Sequence, residues 1–194
     1  MNKLLLLLII TTFRIYSQEF NIPEIKFQSK NDTLNYVKLL DLKDSNALII
    51  KAGYTNYWYG GTNSDFLIYN NDGSIEKYKA FFSFKGERKI KKIKVPKRKY
   101  KHYWKFIKDY AIDSLVAIDT RKLNIQKWTD EKGVIQTRSI DDGTNIKFEI
   151  LRDNNYSKFE SYSAEYFIAE KVPGFEERKK FVLLVNKFEE IFDK

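Results

Sequence analysis

Asn70-Asn71-Asp72-Gly73 is the segment that most limits the folds open to this chain. It joins residues 65–69 (DFLIY), apolar on both faces, to residues 75–84, where Tyr78, Ala80, Phe82 and Phe84 alternate onto one side. An Asp-Gly step between two such runs is a hairpin turn, so the two strands are antiparallel and the first is central. Residues 47–54 (ALIIKAGY) read as a further strand. Pro96 then marks a helix start, and Tyr100, Tyr103, Trp104, Ile107, Tyr110 and Ala111 fall on one helical stripe.

The second half is similar in kind. Residues 123–128 and 134–140 read as strands, Asp141-Asp142-Gly143 as a turn, and Ile146, Phe148 and Ile150 alternate after it. Residues 157–169 fit a strand through Tyr162, Ala164, Tyr166 and Ile168, and a helix through Phe159, Tyr162 and Tyr166. After Pro173-Gly174 comes a helix with Phe181, Leu184, Val185, Phe188, Ile191 and Phe192 on its buried face and Glu176 and Glu177 in its first turn. The expected class is α+β, antiparallel meanders with helices on one face.

Trp58 precedes Asp72-Gly73 by the same step that separates Trp128 from Asp142-Gly143, and the two sets lie 70 residues apart. That is the spacing of two similar β-β-β-α halves, 47–111 and 118–193. Two unrelated hairpins sharing a preferred turn would give the same match, and the step breaks at Pro96 and Pro173, which are 77 apart.

Residues 1–17 have the layout of a secretory signal peptide: Lys3, then the unbroken apolar run 4–10, then polar sequence around Ser17. The run is far short of the ~20 residues a spanning helix needs. Arg14 and Ile15 depart from the usual cleavage pattern. The expected product is one α+β domain, residues 18–194, soluble in a bacterial periplasm or outside the cell. The heavy use of Lys, Asn, Ile, Phe and Tyr fits a genome of low GC content.

The chain has no cysteine, which excludes disulfides, thiolate catalysis and cysteine-held metal centres. His102 is the only histidine and stands among lysines, a poor electrostatic setting for a metal. No nucleophile elbow or phosphate-cradling glycine loop occurs. These exclusions favour a binding protein over an enzyme, with no cofactor, metal or catalytic residue assigned. A carboxylate-only hydrolase of an envelope glycan is the enzymatic alternative, because its two acids need only meet in space.

Two segments are candidates for binding. Residues 85–108 hold twelve Lys or Arg and one acid, Glu87, a net +11 in a chain that totals +9. At 100° per residue Arg98, Lys101, Lys105 and Lys108 share a helix face opposite the aromatic stripe, and Lys91, Lys92 and Lys94 lead into it. Such a surface attracts an acidic protein or an envelope polyanion, nucleic acid being the less favoured anion. Equally, a charged edge strand and a solvated helix face need no ligand. The second candidate is the segment around Tyr57, Trp58 and Tyr59, where flat rings, amides and Gly60-Gly61 suit a sugar or protein ligand. Rings that complete the core are the plainer reading.

Overall fold

The computed structural model describes residues 22–30, 36–56, 58–111 and 118–193; the expected export signal, 1–17, and Tyr57 lie outside the described residues. Its centre is the hairpin read above. β3 (Gly61–Tyr69) turns through Asn70–Gly73, closed by the Gly73 N–H donating to the Asn70 carbonyl at 3.0 Å, into β4 (Ile75–Ser83). β2 (Leu48–Asn56) pairs with β3 in full register from Leu48↔Tyr69 to Asn56↔Gly61. β5 (Arg88–Ile93) pairs with β4, from Phe82↔Arg88 to Lys77↔Ile93.

On the other flank β2 pairs with β8 (Asn145–Arg152), β8 with β9 (Asn155–Tyr162), and β9 with the two-residue β1 (Ser29–Lys30). All neighbours are antiparallel in the seven-stranded order β1-β9-β8-β2-β3-β4-β5. The sequence-distant match of β2 with β8 thus joins the two halves of the chain into one sheet.

Side chains alternate across a strand, so the sheet has two apolar faces. On one lie Leu48, Ile50, Leu67, Tyr69, Phe148, Ile150 and Phe159, covered by α2 (Tyr100–Phe106) and α4 (Phe175–Asp193). The α4 side chains that meet them are the expected Phe181, Leu184, Val185, Phe188, Ile191 and Phe192. Each such ring or branched chain contributes about 1.5–3 kcal/mol on burial. The opposite face, with Ile49, Phe66, Ile68, Tyr78 and Ala80, is covered by the single turn α1 (Tyr36–Leu39) and by Leu40, Leu42 and Ala47.

The ambiguous stretch 157–169 divides: its first part completes β9 and its second forms α3 (Ala164–Ala169). Ser163 makes the break in the left-handed region, at φ 46°. The helix near Pro96 opens with a 3₁₀ turn, Lys97–Lys99, and leaves α2 through a π turn, Ile107–Ala111.

Residues 123–128 and 134–140 differ from expectation. Only Lys127–Thr129 (β6) and Ile135–Thr137 (β7) are strand, and they form a separate two-stranded sheet. The Leu123 and Ile125 carbonyls are instead taken by the buried Arg178 guanidinium, at 3.0 and 2.7 Å. Trp58 lies in the β2–β3 loop and Trp128 on β6, while Asp72-Gly73 closes a hairpin and Asp142-Gly143 precedes β8 without one.

Candidate functional site

Among the described residues β5 is an edge strand of the sheet, and register decides where each of its cations points. Lys89 and Lys91 stand opposite Phe81 and Lys79 on the helix-bearing face, while Arg88, Ile90 and Lys92 stand opposite Phe82, Ala80 and Tyr78 on the other. Lys92 is engaged there: its Nζ lies 2.6 Å from Glu76 Oε2 and 5.3 Å from the Tyr78 ring centroid. The hydrogen bond to Glu76 raises the Lys92 ammonium pKa. Glu76 is pushed up by burial, yet the hydrogen bonds from Lys92 and Tyr78 hold it below the usual carboxylate range.

Past β5 the chain exposes Lys94, Arg98, Lys101, Lys105 and Lys108. What fixes these cations is the buried side of their helix. Tyr103, Trp104, Phe106 and Ile107 are buried; Tyr110 and Ala111 have side chains outside the described residues. Trp104 Nε1 donates to the Gly73 carbonyl at 3.2 Å, the Tyr69 hydroxyl donates to the Tyr103 carbonyl at 2.9 Å, and the Tyr69 and Trp104 rings meet edge-on at 5.0 Å. The aromatic stripe is core, and the lysine face looks outward. Among the described residues Lys105 meets Asp109 at 3.7 Å, and Lys91, Lys94, Arg98, Lys101 and Lys108 form no ion pair. His102 is exposed, and no group of three candidate ligands among the described residues could hold a metal.

The aromatic candidates lie at the end of the sheet where β2 turns into β3. Trp58 and Tyr59 are each 74% exposed. The plainer expectation, rings completing the core, does not hold for these two. The Trp58 N–H donates to Asn56 Oδ1 at 2.8 Å, and Thr55 and Thr62 hydroxyls meet at 2.7 Å across the neck of the loop. Gly60 takes a left-handed φ of 63°, and a Cβ on Gly61 would fall 2.5 Å from the Phe82 carbonyl oxygen and 2.7 Å from the Phe81 ring. Gly60 therefore serves the left-handed turn, and Gly61 the close approach between loop and sheet.

Phe84 does not continue the alternation of Tyr78, Ala80 and Phe82 into the core. It sits on the β4–β5 turn, 54% exposed, and its N–H donates to the Gly60 carbonyl at 2.8 Å. The two loops are thereby tied together.

Beside them a pocket of about 400 Å³ opens over β3, β4 and β5, and Asn63, Asp65, Lys79, Phe81, Lys89 and Lys91 share its face. Burial raises the Asp65 carboxyl from 3.8 to about 6; Lys79 opposes this, while Asp193 and Glu189 from α4 add to it. Asp65, Lys79 and Phe81 lie outside both candidate segments of the sequence, while Asn63 ends the aromatic one and Lys89 belongs to the basic one. Extending the hairpin register through β5 is the signal that aligns them.

Other buried ionisable groups serve the fold. Lys77 is 6% exposed, and its ammonium donates to the Phe192 carbonyl at the C-terminal end of α4, where a cation complements the helix dipole. On the opposite face Lys51 Nζ lies 2.5 Å from Glu149 Oε2 and 2.8 Å from the Tyr36 hydroxyl, which binds Glu149 in turn. No family model matches the chain, and no curated protein matches it.

Proposed function

We propose that the protein is an exported binding protein that holds an anionic partner, an acidic protein or an envelope polyanion, on the basic surface of residues 85–108. The observation that supports this most is the placement of the candidate cations. Lys91, Lys94, Arg98, Lys101 and Lys108 are exposed without an ion pair among the described residues, Lys91 on β5 and Arg98, Lys101 and Lys108 along the helical segment held in place by buried Tyr103, Trp104 and Ile107. Lys92 contributes less, because Glu76 occupies it. Long-range attraction between such a field and a polyanion is strong at low salt, and the Debye length falls from ~10 Å at 0.1 M to ~3 Å at 1 M.

The test is binding of poly-L-glutamate to purified protein at low and high salt. Wild type should bind at about 20 mM salt and release by about 500 mM. The variant Arg98→Glu/Lys101→Glu/Lys105→Glu/Lys108→Glu should not bind while keeping its unfolding midpoint, since all four side chains are exposed. Equal binding by that variant would contradict the reading. Export rests on residues 1–17, and intact mass from the envelope fraction should show cleavage near Ser17; full-length chain confined to the cytoplasm would contradict it.

A second reading is favoured by one observation: Asp65, held near 6, has the Asp193 and Glu189 carboxylates as neighbours beside an open pocket. That arrangement suits a carboxylate-based hydrolase of an envelope glycan. Release of reducing ends from an envelope glycan, lost in Asp65→Asn, would establish it; no turnover with either protein would remove it.

A further inference from the structure

The aromatic loop and the basic strand are rivals in the sequence, but strand pairing sets them side by side. The Phe84 N–H bond to the Gly60 carbonyl locks the β2–β3 loop to the β4–β5 turn, so Trp58, Tyr59 and Phe84 share one end of the sheet. The pocket opens next to them: Asn63 lies two positions from Gly61, and the Phe81 ring packs where a Cβ on Gly61 would stand. Within it Lys79 and Lys91 stand directly opposite in register, with Lys89 two residues along on the same face. Like charges directly across a strand pair repel. Among the described residues only Lys79 of the three forms an ion pair, with Asp193 at 3.5 Å, and both of those side chains are exposed.

We propose that this end of the sheet is a binding site for an acidic glycan, a sugar chain carrying carboxylate or phosphate groups. The inference rests on the anion-binding reading, because Lys89 and Lys91 belong to the same basic segment, and it names the ligand class. Each part of the ligand has a counterpart. Sugar rings present a flat C–H face, which the exposed Trp58, Tyr59 and Phe84 rings match. Hydroxyl groups around the ring edge need paired donors and acceptors, which the Asn63 amide and the Asp65 carboxyl supply. The acidic substituent meets Lys79, Lys89 and Lys91 and relieves their repulsion. A pocket of about 400 Å³ is of the size that holds one or two sugar units. An anionic bilayer would use the rings and the lysines and would have no use for a polar recess.

The experiment is calorimetric titration of the purified chain with tetragalacturonate, with neutral maltotetraose and phosphatidylglycerol vesicles as comparison ligands. Poly-L-glutamate binding is measured in parallel. The site predicts that tetragalacturonate binds about tenfold or more tighter than maltotetraose. Trp58→Ala and Lys89→Ala/Lys91→Ala should each weaken it about tenfold. Trp58, Lys89 and Lys91 are exposed, so these variants should fold as wild type does.

Four outcomes overturn the proposal. Equal affinity for the neutral and acidic sugars removes the cationic part. Loss in the helix variant with none in the pocket variant leaves anion binding in place and removes this site. Binding to vesicles and poly-L-glutamate without binding to tetragalacturonate replaces the glycan with a lipid surface. Binding to neither tetragalacturonate nor poly-L-glutamate removes this proposal and the anion-binding reading together.

Discussion

Arg178 carries a full charge into a place with no solvent access and has no carboxylate partner among the described residues. Desolvation lowers its pKa. Its charge is balanced by carbonyl dipoles: Leu123 at 3.0 Å, Ile125 at 2.7 Å, Pro173 at 2.9 Å and Val172 at 3.4 Å, with the Phe167 ring 5.1 Å away. One side chain thus fastens the 123–125 segment to the start of α4. Arg178→Ala orphans several buried carbonyls and should cost about 3–5 kcal/mol by denaturant unfolding. Arg178→Lys should recover less than half of that, because an ammonium cannot reproduce the planar fork.

Asp65 behaves oppositely, since it weakens the fold at neutral pH. Burial lifts its carboxyl from 3.8 to about 6, so the native state holds the proton more tightly than the unfolded chain does. The penalty is absent below 3.8, grows as pH rises through that interval and is complete above about 6. Lys77 and Lys79 on β4, Asp193 and Glu189 on α4 and the Tyr54 hydroxyl on β2 set its surroundings. Asp65→Asn should therefore raise stability by about 1 kcal/mol at about pH 7.5, a figure reduced for partial solvent exposure, and change it little at about pH 4.

Local elements were legible where the pattern was local. The Asn70–Gly73 turn, the flanking strands and the 19-residue α4 follow from turn chemistry and period. Both readings of 157–169 proved partly right, because Ser163 ends the strand and opens the helix. That residue bears strain: its φ is 46°, and its buried hydroxyl has no hydrogen-bond partner among the described residues. Ser163→Gly should raise the unfolding free energy by about 1 kcal/mol, by relieving both. The strands expected at 123–128 and 134–140 were legible only as fragments, because their carbonyls answer to Arg178 and no periodicity in the segment encodes a partner 53 residues away. Phe84 was misplaced because alternation does not say where a strand stops.

The pair of β2 and β8 contains a second feature the sequence hid. Lys51 and Glu149 are opposite in register and buried, with the Tyr36 hydroxyl completing the group. Glu149→Ala alone leaves a buried ammonium and should cost about 3–5 kcal/mol, whereas Lys51→Met with Glu149→Leu should cost far less. A double-mutant cycle by denaturant unfolding measures the difference.

At the scale of the whole molecule, sheet order decides what the candidate site is. The sequence supplied the basic segment and the aromatic segment as separate candidates, 27 residues apart at Trp58 and Lys85. It could not show that β5 is an edge, that Lys92 turns away to Glu76 while Lys89 and Lys91 face the pocket, or that the Phe84 N–H ties its turn to the loop that carries Trp58. These follow from the β3-β4-β5 register, which is a property of the assembled sheet. The same order leaves the basic edge unpaired among the described residues, and its charge also guards against pairing with another sheet.

Hydrogen exchange of the protein with and without poly-L-glutamate at about 20 mM salt tests the central claim most directly, because it reports where an anion sits without any substitution. Anion binding on the basic surface predicts slowed exchange in β5 and in residues 94–108, with α4 and the β6–β7 sheet unchanged and the effect gone at about 500 mM salt. Protection confined to α4 or to β6 and β7, or slowing that persists at high salt, would contradict it.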